Sequence, residues 1–306
     1  MAGLEIVTAT PADTEAIAAL DESVRAATGH PALGDSEWRD IAQPQPDSIG
    51  FLARRGARAV AYLHVAHSDT FTPQHWVLGL ARAPEESLDD ESSLLLEAGE
   101  RHISDHGGGR AIAWIFDPSP ADDALLAANH FEWQRDLSQM RVPLPLAETA
   151  AFPAGVEIRT FEPGRDEAAW IEVNNRAFAN HPEQGGWIAA TLARRMEEPW
   201  FDPKLFVLAF NGRVLVGFNW MKVHETDGRD PRLGEIFVIG VDPSQQGRGL
   251  GRALAVEGLS RLAALGITTG MLFVAAENTG ALALYRALGF TVHRIDRAYA
   301  KVVSSR

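Results

Sequence analysis

The stretch Val241–Leu254 reads VDPSQQGRGLGRAL, and it decides the fold of the second half of the chain. It follows Glu235–Val241, an apolar run typical of a strand, and it precedes an alanine- and leucine-rich run typical of a helix. Glycines at this junction let a ligand approach the backbone closely. The first N–H groups of a helix lack partners and carry partial positive charge, so they form a site for anions. We therefore predict that this turn binds a pyrophosphate.

Two common phosphate-binding patterns do not fit this turn. The Walker A pattern needs Gly-Lys-Ser/Thr, and the dinucleotide pattern GxGxxG differs from the spacing GxGxG found here. The turn Gln246-x-x-Gly249-x-Gly251 resembles instead that of the GCN5-related N-acetyltransferases (GNAT), which bind the pyrophosphate of coenzyme A. Further on, Asn278-Thr279-Gly280-Ala281 and Leu284–Phe290 (LYRALGF) resemble two more runs of that family.

Periodicity in the second half of the chain predicts a mixed α/β domain. Helices are expected at 165–178, 188–197, 249–265 and 279–288, and strands at 156–161, 205–210, 214–224, 235–241, 271–275 and 290–301. Leu250, Leu254, Leu259 and Leu262 fall on one face of the third helix, and Gly266 ends it. The order of these elements, with hairpins early and a βαβ crossover late, predicts a mixed sheet.

The first half of the chain resembles the second. Leu4–Leu20 and Val156–Val173 each read as a short strand, a proline turn and an amphipathic helix. Ala127–Leu144 and Arg286–Val303 each read as a helix end, a Phe and a long strand. A period near 150 residues indicates two copies of one domain rather than a solenoid. We predict tandem GNAT-like domains at residues 1–142 and 155–306, joined by a proline- and alanine-rich linker at 143–154.

Composition narrows the functional classes. The chain has 306 residues, a net charge of −13 and no cysteine. Such a charge repels nucleic acid, and the absence of cysteine fits a reducing compartment. No apolar run approaches the roughly 20 residues that span a membrane, and the N-terminus lacks the features of a signal peptide. We expect a cytoplasmic, monomeric protein without nucleic-acid or membrane partners, and the scattered histidines predict no metal site.

Other motifs resemble one family of GNAT enzymes, the mycothiol synthases. They are Asn174–Trp187 (NNRAFANHPEQGGW), Trp200–Pro203, Trp220–His224 (WMKVH) and Gly234–Pro243. These enzymes have tandem domains and acetylate the cysteinyl amine of cysteinyl-glucosaminyl-inositol with acetyl-CoA. The resemblance implies that Glu235 is the general base, that Tyr285 is the general acid, and that Glu183, Lys222, Phe273 and, by a looser match, Asp35 contact the acceptor. It implies that acetyl-CoA is held by Ile239, Gly240, Val241, Gln246, Gly247, Arg248, Gly249, Leu250, Gly251, Arg252, Asn278, Thr279, Gly280, Ala281, Leu282 and Ala283.

The reaction itself sets three tasks. The amine loses a proton, the oxyanion of the tetrahedral intermediate is stabilised, and the thiolate is protonated. A backbone N–H near Ile239–Val241 suits the oxyanion, and the pantetheine arm can lie beside that strand. With a thiol near pKa ~8.5 and a tyrosine near ~10, Tyr285 is expected to supply the proton without a large shift. Whether Glu235 acts directly or through water is left open.

Two departures from the family pattern affect the prediction. Phe273 replaces a tyrosine expected to contact the acceptor, so a hydroxyl contact is lost. In the first copy the region of the glycine turn holds an acidic cluster instead, Glu85, Glu86, Asp89, Asp90 and Glu91, so we expect that copy to have lost cofactor binding. An acetyltransferase for another small-molecule or protein amine, and a cofactor-binding module without catalysis, are the alternatives.

Overall fold

The computed structural model describes residues 4–68, 75–84, 88–179, 184–226 and 231–306. The described helices are α1 (Thr14–Thr28), α2 (Asp35–Ala42), α3 (Asp89–Asp105), α4 (Pro120–Ala128), α5 (Glu167–Ala177), α6 (Ala189–Met196), α7 (Leu250–Ala264) and α8 (Thr279–Ala287). The strands are β1 (Leu4–Thr8), β2 (Ser48–Arg55), β3 (Arg58–Ser68), β4 (His75–Arg82), β5 (Gly109–Phe116), β6 (Glu132–Pro143), β7 (Val156–Thr160), β8 (Phe206–Asn211), β9 (Val214–His224), β10 (Leu233–Val241), β11 (Thr269–Ala275) and β12 (Thr291–Val303).

The order of these elements confirms the internal repeat. Each half runs strand, two helices, three strands, helix, strand, helix, strand, from β1 to β6 and again from β7 to β12. The elements expected in the second half are all present, and their ends agree with the prediction within about two residues. The mixed α/β fold class is confirmed as well.

The chain forms two compact units that do not coincide with a simple cut along the sequence. Unit 1 contains residues 1–137 and 294–306, and unit 2 contains residues 138–293. In unit 1 the last strand of the chain pairs antiparallel with β5, from Asp296 opposite Phe116 to Val303 opposite Gly109. The predicted boundary at residues 143–154 concerns the repeat along the chain, and it stays a prediction.

Unit 1 has the strand order β1-β2-β3-β4-β5-β12. Its core lies between the sheet and helices α1, α3 and α4, and it includes the fully buried Ile17, Leu63 and Leu95. Strands β4 and β5 run parallel, as the late crossover in each copy requires. The chain therefore builds this unit from its first 137 residues and its last strand.

Unit 2 has the order β11-β10-β9-β8-β7, with β6 beside β11. One face of its sheet packs on α7 and α8 through an aliphatic core that includes Leu254, Leu259 and Leu272. The other face packs on α5 and α6 through an aromatic core that includes Trp170, Phe206 and Trp220. All four leucines expected on the buried face of α7 are buried, which confirms that prediction.

Helix α7 lies unusually close to the sheet of unit 2. A side chain at Gly234 would come within 2.8 Å of Leu262, and one at Gly258 would come within 2.2 Å of the Asn219 side chain. The fully buried Asn219 donates from Nδ2 to the Leu254 carbonyl oxygen at 2.8 Å. These contacts fix the helix against β9 and β10, and so fix the position of its N-terminus.

Candidate active site

The glycine turn joins the end of β10 to the start of α7. Gly247 and Gly249 both have left-handed backbone conformations, with φ of +74° and +84°. A Cβ atom at either position would meet no protein atom within 4 Å, so both glycines border open space. The first helical hydrogen bond runs from the Ala253 N–H to the Gly249 carbonyl. The N–H groups of Leu250, Gly251 and Arg252 therefore precede the helical ladder and can bind an anion.

An ion pair anchors the strand end of this turn. Asp242 accepts hydrogen bonds from the Ser244 N–H at 3.0 Å and the Ser244 hydroxyl at 2.7 Å, and its other oxygen accepts from Arg176 Nε at 2.8 Å. Burial by itself would raise the pKa of Asp242, but these hydrogen bonds and the Arg176 charge outweigh it and hold that pKa below its ordinary value. Asp242 is therefore a structural carboxylate at neutral pH.

Two arginines flank the helix end. Arg252 donates from Nε to Glu148 at 2.7 Å, and Arg248 donates to Gln245 Oε1 at 3.4 Å. Hydrogen bonding to Arg252 lowers the pKa of the Glu148 carboxyl. Because Glu148 is exposed, solvent screens this ion pair and it adds little stability. An anion at the turn would therefore compete with Glu148 for the Arg252 guanidinium.

Strands β10 and β11 separate before β10 reaches the glycine turn. Parallel pairing of β10 with β11 covers Leu233–Ile236 and Thr269–Leu272, and in this fully described stretch it ends there. The next residue, Phe237, is an extra residue in the pairing of β10 with β9, which is a β-bulge. A bulge bends its strand, so it accounts for the fork that opens between β10 and β11.

The fork exposes one edge of β10. The Asp242 N–H donates to the Val216 carbonyl at 2.9 Å, toward β9. Because successive backbone groups in a strand point to alternate sides, the N–H groups of Ile239 and Val241 point to the open edge. This edge leads directly to the glycine turn, so a ligand bound at the turn can extend a chain along it.

Glu235 lies on β10 just before the fork and faces the aromatic side of the sheet. The neighbouring Gly234 faces Leu262 of α7, and side chains alternate along a strand. Glu235 is opposite Lys222 on β9 and Met271 on β11, so these side chains share its face. The Glu235 carboxylate accepts a hydrogen bond from His224 Nε2 at 2.7 Å. The sequence motif contained His224 but gave it no role, because the pairing depends on strand register.

Aromatic side chains line the same face. Lys222 Nζ lies 5.3 Å from the centre of the Trp200 ring, and Trp200 lies 5.0 Å from Phe237. Phe273 is two residues beyond Met271 on the part of β11 that has left β10, and its side chain is more than a third exposed. Of the predicted acceptor contacts, Lys222, Glu235 and Phe273 therefore share one face of unit 2.

Two more predicted site residues belong to α8: Asn278 at its N-terminal cap and Tyr285 within the helix. The Asn278 side-chain oxygen caps this helix by accepting from the Ala281 N–H at 3.1 Å, and Thr279–Ala283 form its first turn. Tyr285 is buried and its ring packs on Phe290. Burial raises the pKa of Tyr285 to about 12. The expectation that Tyr285 would act without a large pKa shift is therefore wrong, because burial disfavours the charged phenolate.

Two predicted acceptor contacts have side chains that lie outside the described residues. Glu183 lies outside the described residues, and so does the side chain of Asp35, whose backbone begins α2 in unit 1. In the acidic cluster of the first copy, Glu85 and Glu86 lie outside the described residues. Glu91 pairs with Arg55, and Asp89 is 3.3 Å from Arg82.

Comparison with known proteins identifies the family. Residues 168–290 match the Acetyltransferase (GNAT) family. The mycothiol acetyltransferase of Thermobispora bispora is 39% identical over 298 residues, which cover 95% of this chain and 97% of that protein. The mycothiol acetyltransferase of Kocuria rhizophila is also 39% identical, over 96% of this chain and 99% of its own.

Solved structures agree on the fold. A GCN5-related N-acetyltransferase from Sphaerobacter thermophilus superposes with a TM-score of 0.81 at 25% identity and covers 98% of this chain and 96% of its own. A tandem GNAT protein from the clavulanic acid biosynthesis pathway has a TM-score of 0.75 at 17% identity, over 99% of this chain and 100% of its own, and supports the fold alone. Among the described helices, none is both long and apolar enough to cross a membrane. With two relatives matched along nearly their whole length, the chain belongs to the mycothiol acetyltransferase family of the GNAT superfamily.

Proposed function

We propose that this chain transfers an acetyl group from acetyl-CoA to the cysteinyl amine of cysteinyl-glucosaminyl-inositol, the last step in making mycothiol. The observation that carries the proposal is the arrangement in unit 2, where the glycine turn, the fork and buried Glu235 follow one another along β10. The near full-length relatives supply the acceptor, since two of them carry the name mycothiol acetyltransferase.

In this proposal the N-terminus of α7 holds the pyrophosphate of coenzyme A. The N–H groups of Leu250, Gly251 and Arg252 and the side chains of Arg248 and Arg252 supply positive charge there. The pantetheine arm lies along the open edge of β10, where the N–H groups of Ile239 and Val241 can bind it and the oxyanion of the intermediate. The thioester then lies near the fork, beside the face that carries Glu235.

Glu235 acts as the general base. It takes a proton from the acceptor ammonium, directly or through water, so that the nitrogen lone pair can attack the thioester carbonyl. An α-amine has a pKa near ~8, so only modest help is required to deprotonate it at neutral pH. General base catalysis typically contributes about 10²–10⁴-fold. The C–N bond forms, the C–S bond breaks, and coenzyme A leaves as the thiolate. The second proton that the nitrogen loses on becoming an amide goes to solvent, from which the thiolate can be protonated.

Tyr285 stabilises that thiolate. Its hydroxyl is protonated at neutral pH, and burial raises its pKa further, to about 12. Against a thiol near pKa ~8.5, complete transfer of the phenolic proton to the thiolate is unfavourable. We therefore expect Tyr285 to act mainly by donating a hydrogen bond to the departing sulfur, rather than as the general acid that the family resemblance implies.

Acceptor recognition is assigned to the aromatic face of unit 2. Lys222, Phe273 and Glu235 lie there, and Glu183 and Asp35 stay predictions from the family motif. A purified-enzyme assay tests the function by following coenzyme A release with three acceptors: cysteinyl-glucosaminyl-inositol, an aminoglycoside and a peptide N-terminus. Turnover with the first acceptor supports the proposal. Turnover only with another amine, or acetyl-CoA binding without any turnover, would overturn it. A cytoplasmic, monomeric enzyme stays our expectation.

A further inference from the structure

We infer that His224 is a positioning residue for Glu235, and that it aims the second carboxylate oxygen at the acceptor amine. This inference deepens the proposed function and rests on it, because it assumes that Glu235 is the base. It starts from a contact between side chains on two different strands. His224 ends β9 and Glu235 lies near the start of β10, and their Nε2 and Oε2 atoms are 2.7 Å apart.

The register of the strands fixes this contact. Lys222 is directly opposite Glu235, and His224 is directly opposite Leu233. His224 therefore lies diagonally across from Glu235 on the same face, a position from which a long side chain can reach. Three paired positions hold the two backbones together here, so the hydrogen bond constrains side-chain rotation in a frame that is already rigid.

The chemistry of the pair gives the direction of the hydrogen bond. A carboxylate only accepts, so the His224 Nε2–H donates and Glu235 Oε2 accepts. A hydrogen bond to a charged acceptor is stronger than one between neutral groups. With Oε2 held by His224, Oε1 is the oxygen left to receive the ammonium proton. One oxygen of the Glu235 carboxylate is thus held by His224, and the other oxygen accepts the proton.

Burial explains why this anchor is needed. The Glu235 side chain is 9% exposed, and the His224 side chain is 24% exposed. A buried carboxylate without partners is costly, and water is restricted around it, so it needs a donor from the protein. His224 provides that donor at the side of the site that is nearer to solvent. Without the histidine, a glutamate at this position could adopt several rotamers. Small displacements of a catalytic group reduce the reaction rate by large factors.

The test compares four variants, H224L, H224Q, E235Q and the double variant H224L/E235Q, with the wild type by steady-state kinetics with acetyl-CoA and cysteinyl-glucosaminyl-inositol. H224L removes the donor and H224Q keeps an N–H donor at a similar reach. We expect kcat to fall about 10- to 100-fold in H224L, with KM for acetyl-CoA within about 2-fold, and H224Q to recover most of that loss. E235Q alone should fall further, and adding H224L to E235Q should cost less than about 2-fold more, because the histidine acts through the glutamate.

A matched control comes from the other unit. His64 Nε2 lies 3.1 Å from Asp40 Oδ2, which makes a second partly buried histidine–carboxylate pair. H64Q should leave kcat within about 2-fold of wild type. The melting temperature of every variant is measured as well, to show that each one is folded. If folded H224L keeps wild-type kcat, or if H224L and E235Q multiply as independent losses, the positioning role is wrong. If the wild type itself fails to acetylate this acceptor, the proposed function fails instead, so the two outcomes are separate.

Discussion

Replacing Gly249 by alanine tests the role of the glycine turn most sharply. Gly249 caps α7 with φ +84°, a conformation that costs a residue with a side chain about 1–2 kcal/mol. Nothing in the protein lies within 4 Å of the added Cβ, so the protein itself has room for it. The substitution therefore changes two things: backbone strain, and the space through which a phosphate would reach the backbone.

A second glycine on the same helix separates these two effects. Gly266 follows the other end of α7 with φ +78°, and a Cβ there also meets nothing within 4 Å. G266A should therefore carry the same strain as G249A, and both should melt a few degrees lower, at about 2–4 °C per kcal/mol for a unit of this size. No phosphate is expected at the C-terminal end of a helix, where the carbonyl groups point outward.

Coenzyme A affinity should distinguish the pair. Loss of one charge-assisted hydrogen bond to phosphate is worth about 1.5–3 kcal/mol, which corresponds to roughly 10- to 100-fold in Kd. Isothermal titration with coenzyme A should show this weakening for G249A, with G266A close to wild type. Equal affinity of the two variants at equal melting temperature would refute the assignment of the pyrophosphate to this turn.

The remaining predictions concern charged groups of unit 2 and its tyrosine, Tyr285. E235Q should lower kcat by about 10²–10⁴-fold while acetyl-CoA affinity, measured by titration, stays within about 2-fold; a collapse of affinity with intact turnover would contradict the role of base. E148Q releases Arg252 from its ion pair, so coenzyme A should bind about 2- to 5-fold tighter at low salt, an effect that fades as ionic strength rises; unchanged or weaker binding would count against Arg252 as a phosphate ligand. Because burial raises the pKa of Tyr285 to about 12 from about 10 when unfolded, its stabilising effect is complete below pH ~10 and is lost as the pH rises from ~10 through ~12. The melting temperature of the wild type should therefore fall relative to that of Y285F over that range, because only the wild type has a phenol to ionise at this position; parallel curves would show that Tyr285 is not buried as described.

The sequence predicts the parts of this site that local patterns encode. Glycine spacing after an apolar strand was enough to place the turn at Gly247–Gly251, and the leucine period was enough to orient α7. Strand limits for β9 and β10 followed from apolar runs and polar breaks. These features depend on neighbours in the chain, so one sequence suffices to predict them.

Local sequence patterns do not predict contacts between residues that are far apart in the chain. The hydrogen bond between His224 and Glu235 requires the register of β9 against β10, including the bulge at Phe237. Periodicity predicts that the last residues form a strand. It does not predict that this strand pairs with β5 in unit 1. The raised pKa of Tyr285 depends on how completely α8 is packed, which its sequence period does not give.

The most direct measurement is a crystal structure of the protein with coenzyme A bound. We predict pyrophosphate oxygens within hydrogen-bond distance of backbone N–H groups between Gly247 and Arg252, and a pantetheine arm along β10 beyond Ile236. Coenzyme A bound elsewhere with the glycine turn empty, or a turn closed by the protein's own side chains, would contradict the account.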